Sequence, residues 1–148
     1  MAVSSTPVFA QTPYSVSASL TAKTACTTRA PTVTASLAAA NITIFVPTST
    51  NGCRIDYILV KSASTSITAA TAANLVQIWD WDGTTAYLID EIQVSAVTPS
   101  TTSPGFTTTY NYANGLFLPA ANALYVSVTV TTTAATTALT ATAFGALL

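Results

Sequence analysis

The chain has 148 residues, enough for one domain with a proper core, and half of it is hydrophobic while only 6% is charged. Four basic and five acidic residues leave a net charge of −1, and there is no histidine. That balance gives no electrostatic footprint for nucleic acid, and the missing imidazole rules out Ser-His-Asp and Cys-His triads and His-bearing zinc sites.

Residues 1–12 hold Pro7, small polar residues and the apolar pair Val8-Phe9, and read as an extended N-terminal arm. From residue 13 to 148 the pattern is that of one β domain. Tyr14, Val16, Ala18 and Leu20 alternate with Ser15, Ser17 and Ser19, the period of a half-buried strand. Residues 21–40 are rich in Ala, Thr and Ser with Pro31 inside; they read as loop plus a weak strand around Thr32–Leu37, with a helical turn conceivable at Ala38-Ala39-Ala40. Ile42, Ile44 and Val46 alternate, and Pro47 ends that strand because it donates nothing to a ladder.

Asn51-Gly52 is a turn dipeptide, followed by Arg54–Lys61, a β-rich run apolar on both faces. Leu75–Trp79 and Ala86–Val94 are joined by Asp80-Trp81-Asp82-Gly83-Thr84, where Asp caps a hairpin turn and Gly takes positive φ. Phe106–Tyr112 reads as a strand, Asn114-Gly115 as a second turn, and Leu116–Leu118 as a short strand closed by Pro119. Leu124, Val126, Val128 and Val130 give the cleanest alternation, and Thr/Ala alternation from Ala138 to Phe144 finishes at Gly145. Eight or nine short strands, with turn signals roughly every ten residues and no fixed-period repeat, predict an all-β, β-sandwich or jelly-roll-like domain.

Mean hydropathy is +0.52, yet Thr or Ser interrupts every run far short of the ~18 apolar residues of a membrane helix. The N-terminus lacks the basic and apolar regions of a signal peptide, so no membrane association or secretion is expected. Cys26 and Cys53 are too few for a disulfide framework and are expected as reduced thiols, Cys53 as a small buried hydrophobe at a strand start. Asn41-Ile42-Thr43 fits a glycosylation acceptor but lacks the secretory route.

Catalysis and cofactors are not expected. Asp90 and Glu91 are adjacent in a strand and point to opposite faces, so they cannot share a glycosidic bond. Asp80 and Asp82 could grip a Ca²⁺ ion weakly, but capping a hairpin is the simpler role. Trp79 shares parity with Gln77 while Val76 and Ile78 share the other face, which leaves one tryptophan available for a subunit contact or a ligand platform, with core packing expected for at least one of Trp79 and Trp81. An uncharged surface lacks the like-charge repulsion that keeps neighbours apart, so the composition points to a chain packed against other subunits.

The phrases Asn51-Gly-Cys-Arg-Ile-Asp-Tyr-Ile, Ile78-Trp-Asp-Trp-Asp-Gly-Thr, Leu88-Ile-Asp-Glu-Ile, Ala96-Val-Thr-Pro-Ser100, Gly115-Leu-Phe-Leu-Pro119 and Ala143-Phe-Gly145 occur in order. Over residues 41 to 145 this resembles small virion structural proteins of tailed bacteriophages, of the capsid decoration (cement) type. The resemblance implies a β-rich trimer on the outer surface of the capsid, bridging subunits of the major capsid protein, and carries no catalytic residues. The expected interface residues are Val8, Phe9, Tyr14 and Trp81. The alternatives are a tail or fibre-associated receptor binder, a tail-tube or connector subunit, and a secreted polysaccharide-binding module.

Overall fold

The computed structural model describes residues 12–33, 42–45, 50–134 and 137–148. Among these residues there are nine strands and no helix: β1 (Thr12–Ser19), β2 (Thr32–Val33), β3 (Ile42–Phe45), β4 (Cys53–Ser62), β5 (Asn74–Trp81), β6 (Thr85–Val94), β7 (Thr107–Leu118), β8 (Ala123–Val128) and β9 (Leu139–Leu147). They form two antiparallel sheets, a four-stranded one in the order β1-β9-β4-β7 and a five-stranded one in the order β2-β6-β5-β8-β3. The sheets pack face to face as a β-sandwich. Only β5 and β6 are consecutive in the chain and paired in a sheet; most other connections pass from one sheet to the other.

The core follows from period-two patterning. Ala18 and Leu20 from the first strand region, Ile55, Ile58 and Val60 from β4, Val76 and Ile78 from β5, Leu124, Val126 and Val128 from β8, and Leu139, Ala141 and Ala143 from β9 are buried together between the sheets. Cys53 is part of the same core and is fully buried, which pushes its thiol up to about 12. Cys26 lies in a separate cluster with Trp79 and Ala86, and both cysteines are free.

Three turn expectations meet three outcomes. At Asn51-Gly52 the glycine takes φ +89 and the chain enters β4. The β5–β6 hairpin forms, with β5 running through Asp80 and Trp81, so that Asp82–Thr84 alone make the turn. Asp82 accepts the N–H groups of Thr84 (2.9 Å) and Thr85 (2.8 Å) through Oδ1, and Gly83 has φ +101. At Asn114-Gly115 the expectation fails: β7 is one continuous strand. Its register against β4 jumps from Ile55–Leu116 to Tyr57–Asn111, so residues 112–115 bulge out, and Gly115 supplies the positive φ of +72 for a bulge rather than a reversal. Leu118 and Ile55 both lie in the core, and this pairing keeps both ends of β7 on one strand.

A second bulge, at Asp56, shifts β4 against β9 between Ile55–Gly145 and Tyr57–Phe144. Gly145 sits against the Arg54 carbonyl so closely that a Cβ would collide with it. The C-terminal strand does not finish at Gly145, as the alternation predicts, but passes through it and continues to Leu147.

Candidate functional site: an open, nearly uncharged sheet face

The two outer faces of the sandwich differ. The five-stranded sheet is roofed by the segment between β1 and β2. Lys23 N–H donates to Thr132 Oγ1 (3.0 Å) and Cys26 N–H to the Val128 carbonyl (2.8 Å). Further along, the Thr28 carbonyl accepts from Gln77 Nε2 (3.1 Å), Arg29 pairs with Glu91 (2.9 Å), and β2 then joins the edge of β6.

Under this roof runs a buried polar chain. Trp79 is fully buried; its Nε1 donates to Ser127 Oγ (2.9 Å), which donates to Gln77 Oε1 (3.0 Å). Gln77 Nε2 also donates to Glu91 Oε1 (3.2 Å), whose carboxylate the Arg29 guanidinium holds below the usual range. Trp79, Ser127 and Gln77 thus each have a partner, as a low-dielectric site demands. Trp81, expected at an interface, is half-buried on this same face, edge-on to Tyr125 with centroids 5.5 Å apart.

The outer face of the four-stranded sheet has no such cover among the described residues. Its registers align outward side chains in three rows. One row is Ser15, Phe144, Tyr57 and Asn111; the next is Ser17, Thr142, Leu59 and Thr109; the third is Ser19, Thr140, Lys61 and Thr107. Lys61 is the only charge among them. Ser17 and Thr142 hydrogen-bond across the strands at 2.8 Å. Tyr57 and Phe144 stack with centroids 4.6 Å apart and planes 17° apart. The Asp56 bulge opens a hollow of about 310 Å³ beside them, lined also by Pro13, Tyr14, Ser15 and Gly145. Arg54 and Asp56 form an exposed ion pair at 2.8 Å next to it.

Tyr14 borders this hollow but packs its side chain against the core between the sheets, and Trp81 lies on the other sheet, so the two do not form one surface. Val8 and Phe9, with Ala38-Ala39-Ala40, lie outside the described residues. Tyr57 and Phe144 were not singled out from the sequence. Their signal was the run Arg54–Lys61 being apolar on both faces, which places Tyr57 and Leu59 outward once Ile55, Ile58 and Val60 face the core.

Polar chemistry elsewhere is dispersed. Asp80 accepts from Asn122 Nδ2 (2.9 Å), Asp82 caps its turn, and Asp90 accepts the Tyr110 hydroxyl, which raises that phenol's pKa. Glu91 faces the roof, so Asp90 and Glu91 do sit on opposite faces. Among the described residues no three His, Cys, Asp or Glu side chains come together as metal ligands do, and no helix is long and apolar enough to cross a membrane. No family model, curated protein or solved structure matches the chain.

Proposed function

We propose that this chain is a non-enzymatic structural virion protein, a capsid decoration subunit that sits on the outer surface of a phage head and stabilises neighbouring major capsid subunits. The observation that carries the reading is the open face of the four-stranded sheet, whose three central rows are rich in Ser and Thr and bear Lys61 as their one charge, with the Arg54–Asp56 ion pair at one end. Such a face gains from contact by buried area and short polar hydrogen bonds, without the desolvation cost of stripping water from ions. With the two-residue β2 set aside, the order β1-β9-β4-β7 against β3-β8-β5-β6 reads as a jelly roll, an architecture used in capsid and lectin domains.

Mixing the full chain with undecorated heads and sedimenting them tests the reading. Co-sedimentation at a fixed stoichiometry, with a raised melting temperature of the shell, is expected; heads that neither bind the protein nor gain stability overturn it. Removing residues 1–11, which spares β1, is expected to leave a folded protein that no longer decorates. Normal decoration by the truncated chain overturns the arm's role.

A receptor-binding role on a tail or fibre is the second reading. Trp79 is buried under the roof and Trp81 packs against Tyr125, so this reading rests on the Tyr57–Phe144 hollow with Asp56 at its rim. Specific hits on a glycan array that vanish in Tyr57→Ala would favour it over decoration.

A further inference from the structure

The two edges of the four-stranded sheet are β1 and β7, and both are long strands without a charged residue. Exposed edges are normally guarded by charge, proline or brevity. Here β1 has Pro13 at one end and β7 has its bulge at 112–115, and the stretches between carry no charge.

The hydrogen-bond phase of each edge can be fixed. Ser62 N–H donates to the Phe106 carbonyl (2.9 Å), and bonded pairs alternate with non-bonded ones in an antiparallel ladder. Val60–Thr108 and Ile58–Tyr110 are therefore the bonded pairs, and Thr107, Thr109 and Asn111 turn their N–H and C=O groups away from β4. On the other side Leu20 N–H donates to the Leu139 carbonyl (2.8 Å), which makes Ala18–Ala141 and Val16–Ala143 bonded pairs. Ser15, Ser17 and Ser19 then face away from β9. No described segment pairs with either set.

These two sets match in three independent respects. The antiparallel succession β1, β9, β4, β7 makes β1 and β7 run in opposite directions, so a second copy in the same orientation brings its β1 antiparallel to β7. Directly opposed residues in such a pair place their side chains on one face, and all six side chains are exposed on the outer face; the cores of both copies then stay on the same side. The facing side chains are Ser against Thr or Asn, the chemistry that already joins Ser17 to Thr142 within the chain.

We propose that a second copy of this chain adds its β1 edge to the β7 edge, extending the four-stranded sheet from subunit to subunit. A like-with-like pairing of two β7 strands would leave both β1 edges bare, whereas this head-to-tail contact uses both kinds of edge. Being heterologous, it closes into a ring when the rotation permits. The contact is independent of whether the chain sits on a particle.

Sedimentation of the full chain over a concentration series, with residue-resolved amide exchange, tests this. Wild type is expected to associate, and the amides of Thr107, Thr109, Asn111, Ser15, Ser17 and Ser19 to slow about tenfold or more on association. A monomer at all concentrations, or association that leaves these six amides unprotected, overturns the proposal. Thr109→Pro and Ser17→Pro each remove one outward N–H while sparing the ladder inside the sheet, and circular dichroism confirms folding. Each alone is expected to lose higher assembly, while their mixture forms a 1:1 dimer through the one intact β1 and the one intact β7. A monomeric mixture, or Thr109→Pro abolishing association while Ser17→Pro leaves it intact, overturns the head-to-tail arrangement. Should either variant fail to fold, the exchange measurement on wild type decides alone.

Discussion

Trp79 shows that parity fixes the face a residue takes but not its depth. Its parity with Gln77 puts it on the face away from Val76 and Ile78, yet the roof segment covers that face and the indole is fully buried. Truncation to Trp79→Ala should cost ~3–5 kcal/mol through the cavity it leaves, and urea denaturation measures it. Ser127→Ala removes the indole's acceptor and should cost ~1–3 kcal/mol, the penalty of a buried donor left unpaired. Cys53 is the converse case, legible from its strand-start position and found in the core. With its thiol pushed up to about 12, it should resist thiol reagents in the native state and react on unfolding. A native-state reaction at the rate of a free thiol would contradict that placement.

At the scale of elements, glycine marks where sequence patterning and backbone geometry part. Gly145→Ala should destabilise by at least ~1–3 kcal/mol, since the new methyl group meets the Arg54 backbone rather than a yielding side chain. Gly83→Ala meets open space and carries only the cost of φ +101, ~1 kcal/mol; paired thermal melts compare them. The roof is held to the five-stranded sheet partly by Arg29–Glu91. Glu91 has a folded pKa below its ordinary value, so its contribution is present above the ordinary carboxylate range and is lost as pH falls through the lowered value. Arg29→Ala should therefore move the midpoint of acid unfolding to higher pH, as followed by tryptophan fluorescence.

For the molecule as a whole, the low charge has a consequence in solution. Contacts made through the rows that bear Lys61 alone should change little between low salt and ~1 M salt, where the Debye length is only ~3 Å. Under the proposed decoration role, binding to heads across that range should keep its affinity; a steep loss would move the contact to the Arg54–Asp56 region or to the roof. The all-β sandwich was legible because alternation of apolar and polar residues is a local property that survives any packing. Positions such as β8 and the β5–β6 hairpin needed nothing but their own neighbours to be recognised. The merger of two expected strands into β7 was not legible, because Asn-Gly serves a reversal and a bulge equally well.

The sequence by itself determined the strand content, the identity of most core residues, the Asp82–Gly83 turn and the scarcity of charge, all of which are set by composition and short-range periodicity. Tertiary structure alone decided which of two outer faces is covered. The roof joins residues 23–30 to strands some fifty to a hundred positions away, through bonds such as Gln77 to the Thr28 carbonyl and Cys26 to the Val128 carbonyl. No local pattern encodes such a pairing. The same long-range order put β1 and β7 at opposite edges of one sheet and left their matched, uncharged backbone groups facing outward.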